Sequence, residues 1–309
     1  MKVEVVLTEA DIAQEFAEAM EARDLPEKFF FWAAPSAAAW STLAADVLYG
    51  GLGQTWIEIA ANCGELARHF GRKMPFISFG AGDGVRDRIL MDALKKNGVE
   101  CLYFPVDASE AMLETACAGA EDEEIDTIGI KADISSPVHL VYAADAAEPP
   151  RLFVLSGNTM ASFDPLAEIR YVAQCMKNDD RLIIDGEIFD AARTIERRTN
   201  PVARKFLEAF LGSVGIGNND GEIRLNLKED ERHEGLHLTT RYFRADSDLT
   251  VTAVGQSVSL QRGERIGLNF QYAYTPEAFR WLIREHGGLD ILREYTSPDG
   301  RFLTAVCRK

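Results

Sequence analysis

Apolar positions recur three and four residues apart over the first seventy residues, the spacing of amphipathic helices. Thr8 stands where it caps a helix with Ile12, Phe16 and Met20 on one stripe. A breaker in LPEKFFFW (25–32) leads into an aromatic cluster read as core, Phe29, Phe30, Phe31 and Trp32. Two Ala-rich helical segments follow over 36–48 and 55–70. Between them YGGLG (49–53) predicts a flexible turn, with a mobile lid over a ligand as the sharper alternative.

At Pro75 the period changes. PFISFGAGDG is a short apolar run ending in glycines, followed by a helix over 85–97. CLYFPVDAS (101–109) ends in an acid before a helix over 110–118, and IDTIGIKADI (125–134) is a strand ending in Asp133. RLFVLSGN (151–158) and RLIIDGEI (181–188) are strand-like, with a helix over 164–176 between them. Strands alternating with helices predict a doubly wound, parallel α/β sheet. Such sheets bind ligands at the carboxyl ends of their strands, where the glycines and acids fall here. Beyond 188 the pattern breaks into a charged helix (191–210), a GSVGIGNNDG loop, and period-2 segments LHLTTRYFRA and LTVTAVGQSVSL. A capped helix, TPEAFRWLIREHGG, and two strands around a PDG turn close the chain. The expected units are an N-terminal helical segment (1–74), an α/β domain (75–188), an inserted substrate or lid subdomain (189–270), and a C-terminal return to the sheet (271–309).

The 309 residues carry 33 Lys+Arg against 49 Asp+Glu, a formal charge of -16. That balance repels phosphate backbones and anionic lipid, so nucleic acid and membranes are not the expected partners. The five cysteines lie far apart with no metal-ligand spacing, which fits reduced thiols in the cytoplasm. His233 and His237 have i,i+4 spacing but flank a turn, so no metal is expected. The N-terminus lacks the basic and apolar regions of a signal peptide.

GAGDG (80–84) lets the backbone turn tightly at Gly80 and Gly82, but the third glycine of a dinucleotide loop is replaced by Val85. Asp107 ends the second strand, where an acid accepts from ribose hydroxyls. Asp133 ends the third, placed for an adenine amino group. In this order the three signals match a class I S-adenosylmethionine (SAM) methyltransferase, whose cofactor has no phosphate to cradle.

The chain also resembles the histidine-specific N-alpha-methyltransferase family, the first enzyme type of ergothioneine biosynthesis, nearly end to end. LPEKFFFWAAPSAAAW resembles the family's LPxKYFYDxxGSxLF, and FGAGDGVRDR its SAM loop LGSGSSEKTR. FPVDASEAML resembles YVPVDVSESAL, KADI resembles VADF, and LSGNTMASFDP resembles LGSTIGNFxP. LNFQYAYTPEAF resembles ENSYKYTPEEF. The resemblance implies that Gly80, Gly82 and Asp107 hold SAM, that Asp133 and Ile134 meet the adenine, and that Arg86 pairs with the SAM carboxylate. It sets Gly157, Asn158 and Thr159 beside the methionine moiety and the transferred group.

On the substrate side the chain departs from the family. The family's amino-acid-gripping Asn falls at Ser162, its imidazole-reading Glu at Asn269, and its Ser at Gln271. Of its paired tyrosines only Tyr49 remains, and a further Tyr aligns with Arg198. Tyr272 and Tyr274 alternate with Gln271 and Ala273, so one face of that strand is expected to line the pocket. Without the imidazole-reading pair, histidine is not the expected acceptor. Three functions stay open: N-methylation of another small amino acid or amine in secondary metabolism, cyclisation of SAM to azetidine-2-carboxylate and methylthioadenosine, and a catalytically inactive SAM-binding protein. For catalysis the candidates are Asn158, Ser162 and Asn269.

Overall fold

The computed structural model describes the backbone of residues 2–253 and 256–309, and the side chains of all of these except 47–49, 253 and 256. A short edge strand β1 (Lys2–Val5) precedes five helices: α1 (Glu9–Ala22), α2 (Lys28–Trp32), α3 (Ala34–Ala44), α4 (Val47–Ala61) and α5 (Gly64–Phe70). Thr8 caps α1 reciprocally with Asp11, and Ile12, Phe16 and Met20 are its buried stripe. The turn expected at YGGLG is instead helix, because α4 runs straight through it. Leu52 and Trp56 on α4 are fully buried, and this packing outweighs the cost of about 1 kcal/mol per helical glycine. A Cβ at Gly51 would lie 2.4 Å from Asp299 Oδ1, so a side chain there would have to displace the Asp299 carboxylate.

The α/β alternation follows: β2 (Lys73–Phe79), α6 (Val85–Lys96), β3 (Glu100–Asp107), α7 (Glu110–Asp122), β4 (Asp126–Lys131), α8 (Pro137–Ala144), β5 (Leu152–Leu155), α9 (Pro165–Cys175) and β6 (Arg181–Glu187). Next come α10 (Ala191–Thr199) and α11 (Pro201–Ser213). They replace the single charged helix expected over 191–210, because Asn200 caps a new helix whose first residue is Pro201. β7 (Gly221–Glu229), β8 (Leu236–Ala245) and β11 (Arg265–Tyr274) form a three-stranded sheet, while β9 (Leu249–Ala253) and β10 (Gln256–Leu260) pair antiparallel. β11 crosses position 270, so the expected end of the insertion falls within one strand. After α12 (Pro276–Trp281) and a π-helical turn (Leu282–His286), β12 (Asp290–Thr296) and β13 (Phe302–Arg308) close the chain.

The main sheet has the order β1-β4-β3-β2-β5-β6-β13-β12. Strands β1 to β6 run parallel, β13 runs antiparallel beside β6, and β12, antiparallel to β13, again has the direction of the parallel strands. Side-chain alternation splits the core between the faces. Phe76, Tyr103 and Ile183 pack with the N-terminal helices and α11, whereas Ile77, Phe104 and Ile184 pack with α8, α9 and α12. The strand order reverses between β2 and β5, where open α/β sheets form a crevice at the strands' carboxyl ends.

Candidate active site

The first wall of that crevice is the turn after β2. Gly80 and Gly82 have φ of 67° and 58°, the left-handed region. The N–H groups of Gly80 and Ala81 donate to the Val106 carbonyl at 2.8 and 3.1 Å, tying the turn to β3. A Cβ on Gly80 would stand 2.7 Å from Thr159 Cγ2 and 3.3 Å from Ile134 Cδ1.

Asp107, at the end of β3, accepts from the Gly82 N–H (3.0 Å) and the Ser109 N–H (2.9 Å), one on each oxygen. Burial raises its pKa, opposed by these backbone donors. Asp133 lies two residues past β4. Its Oδ1 accepts from the Ser135 N–H and hydroxyl at 2.9 and 2.7 Å. Its Oδ2 accepts from Lys28 Nζ on α2, which also pairs with Glu15. Burial pushes the Asp133 carboxyl up, but Lys28 and Ser135 outweigh it and leave the pKa lowered.

The opposite wall is the turn after β5. Asp185 on β6 accepts from the N–H groups of Gly157 (2.9 Å) and Asn158 (2.6 Å). Asn158 has a left-handed φ of 63°, and its Oδ1 accepts from the Glu187 N–H at 2.9 Å. Burial raises the Asp185 pKa to about 6, against the pull of those two donors and of Arg86. Arg86 stands behind the turn: its Nη1 lies 3.3 Å from where a Gly157 Cβ would be.

These walls enclose a cleft of about 780 Å³. Gly80, Gly82, Asp107, Asp133, Ile134, Gly157, Asn158, Thr159, Ser162 and Gln271 all line it. Arg86 is not among the lining residues, though it lies against Gly157, which is. A smaller recess of about 350 Å³ adjoins the cleft through Glu27, Trp40 and Gln271. Asn269 and Arg198 line this recess with Arg197 and Arg241. Arg241 donates to Asn269 Oδ1 (3.1 Å), Gln271 Oε1 (3.3 Å) and the Arg198 carbonyl (3.2 Å). Glu187 is held between Arg197 and Arg198 at 2.7 and 2.6 Å, so it is no free ligand for a substrate ammonium.

One expectation needs correcting. Tyr272 lines neither space: its hydroxyl donates to Asp230 (2.9 Å) and accepts from Arg232 (2.7 Å) beyond the opposite face of β11. The pocket-facing positions of β11 are Asn269 and Gln271. The Tyr49 side chain lies outside the described residues. His233 stacks on Trp281 and His237 on Phe189, and the described residues contain no group of three metal-ligating side chains. No described helix is long and apolar enough to cross a membrane. Glu27 and Lys28 were missed at the sequence level. Their only signal was two charges set directly against the aromatic cluster.

A family model described as "Histidine-specific methyltransferase, SAM-dependent" matches residues 10–309. No curated relative matches the chain. Among solved structures, a SAM-dependent methyltransferase from Clostridium acetobutylicum ATCC 824 is 15% identical, covering 82% of this chain and 91% of its own, at a TM-score of 0.43. A protein from Pyrococcus horikoshii OT3 is 14% identical, covering 86% and 93%, also at 0.43. CalS10, an amino pentose methyltransferase from Micromonospora echinaspora, is 11% identical, covering 84% and 94%, at 0.39. At these scores the likenesses add nothing to the sheet order above.

Proposed function

Because the chain belongs to the histidine-specific, SAM-dependent methyltransferase family, we propose that it N-methylates a small amino acid or amine other than histidine, in secondary metabolism. The observation that carries this reading is the convergence, at the sheet's reversal point, of a left-handed glycine turn with two carboxylates. The cleft suits SAM on its own chemistry. A side chain at Gly80 would fill it, and Asp107 and Asp133 offer acceptors at the ends of neighbouring strands. Bound there, SAM supplies an electrophilic methyl group on a sulfonium.

In this reading Asp107 receives the ribose hydroxyls, with Gly80 and Gly82 allowing close approach. Asp133 and Ile134 flank the adenine. Gly157 and Asn158, fixed by Asp185, hold the methionine moiety, and Arg86 supports that turn from behind. Phe31, Trp40 and Phe163 exclude water from the middle of the cleft, where an uncharged amine must meet the methyl group in line. Ser162, Asn269 and Gln271 shape the acceptor side. Arg241 already occupies the oxygens of Asn269 and Gln271, which supports an acceptor without an imidazole. The free cysteines support a reducing, cytoplasmic setting.

An acceptor screen tests the proposal. S-adenosylhomocysteine (SAH) release is followed with SAM and single amino acids or amines. Acceptor-dependent release is expected, with histidine among the inactive compounds. Turnover with histidine alone would overturn the substrate assignment.

A further inference from the structure

Resting on the SAM-dependent reading, we propose that Glu27 is the docking point and proton acceptor for the acceptor's nitrogen, so that the acceptor is a cationic aliphatic amine. Glu27 is only 9% exposed and lines both the cleft and the recess. It sits where the space for the cofactor meets the space left for a second molecule. One oxygen, Oε1, has a long contact of 3.5 Å from Gln271 Nε2. The other, Oε2, is buried with no hydrogen-bond partner among the described residues. The Ser162 hydroxyl and the guanidinium groups of Arg197, Arg198 and Arg241 offset part of the cost of burying this carboxylate, and a charged donor on Oε2 would offset more. An ammonium brings three donors and a positive charge, and the aromatic walls Phe31 and Trp40 leave room for its aliphatic stem.

The charges facing Glu27 come from several elements: Arg197 and Arg198 on α10, and Arg241 on β8. The Ser162 hydroxyl faces it from the turn after β5. Burial raises the Glu27 pKa, while Ser162 and the three arginines oppose the rise. A carboxyl shifted upward is a better match for an amine's proton than an exposed one. The step balances simply. One proton passes from the acceptor's ammonium to Oε2, giving a carboxylic acid and a neutral amine. The nitrogen lone pair then takes the methyl carbon as the carbon–sulfur pair stays on sulfur. The proton on Glu27 leaves to solvent when the product ammonium departs.

Two SAM analogues test this without knowing the acceptor. Sinefungin carries an amine on a carbon where SAM has its methylsulfonium, and SAH carries neither. Calorimetry of the full chain should show sinefungin binding tighter than SAH by roughly 10- to 100-fold, the range of a charge-assisted hydrogen bond. Glu27→Gln should reduce that preference to about threefold or less while leaving SAH affinity unchanged, because the amide keeps the shape and loses the charge. Should Glu27→Gln fail to fold, the wild-type pH series decides instead: the preference must shrink as Glu27 protonates at low pH. Equal wild-type affinities for the two analogues, or a preference that survives in Glu27→Gln, would overturn the assignment. Failure of the wild type to bind SAH would sink the SAM reading itself, a separately visible result.

Discussion

Replacing Asp107 by Ala removes the group on which the cofactor reading leans most. An ionised carboxylate offers about four acceptor positions. Two are taken by the N–H groups of Gly82 and Ser109, which leaves about two for a pair of ribose hydroxyls. Hydrogen bonds to a charged group are worth about 1.5–3 kcal/mol each, so losing two costs roughly 3–6 kcal/mol. That is about 10²- to 10⁴-fold in Kd. The fold itself loses acceptors for two N–H groups beside the cleft, a further cost of about 1–3 kcal/mol in stability. Titration with SAH reads the first effect and a thermal melt reads the second. A folded Asp107→Ala protein whose SAH affinity lies within about threefold of wild type would refute the assignment, since even one lost charged bond exceeds that.

Other consequences follow from the same contacts. Gly80→Ala should weaken SAH binding and lower the melting temperature together, because its Cβ meets Thr159 at 2.7 Å and its φ of 67° is strained for alanine; an unchanged melt and Kd would contradict the geometry. SAH affinity should fall as pH drops below about 6, when Asp185 protonates and can no longer accept equally from Gly157 and Asn158. For folding stability the same raised pKa has the opposite sign: its contribution is present at low pH and lost as pH rises through about 6. Asp185→Asn should flatten the SAH profile. Arg151 is buried against Asp180 with a 2.8 Å contact, away from the cleft, so Arg151→Met should cost about 3–5 kcal/mol in denaturant unfolding without changing SAH affinity. Asn269→Glu with Gln271→Ser should confer histidine binding only when Arg241 is also replaced, since Arg241 holds both present side chains. Histidine binding by the double variant with Arg241 intact would contradict that placement.

The parts of the fold that were legible in the sequence are those set by local period. β2, β3 and β6 are apolar runs bounded by glycine or acid, and their ends mark the crevice. What escaped depended on distant partners. β1 is four residues with two charges, and it exists as a strand because it pairs with β4. α8 follows Asp133 in a stretch with no clear apolar stripe, yet Leu140 and Ala143 are buried against the sheet. β7 carries alternate exposed charges and is held by its register with β8. At the site, the glycines and acids could be placed because strand ends are local features. Glu27 and Lys28 could not. Glu27 meets Gln271 across 244 positions, and Lys28 meets Asp133 across 105, distances over which composition carries no register. Tyr272 failed for a related reason: alternation identified two faces of β11, but only the packing of Asp230 and Arg232 shows which face is turned away.

The central claim is methyl transfer from SAM to an external amine. Mass spectrometry of the purified protein incubated with SAM, with and without a pool of amino acids and amines, reaches it most directly. The account predicts SAH only in the presence of the pool, together with one pool member gaining an N-methyl group. Methylthioadenosine formed from SAM alone, with no methylated product, would contradict it and point to cyclisation of SAM itself.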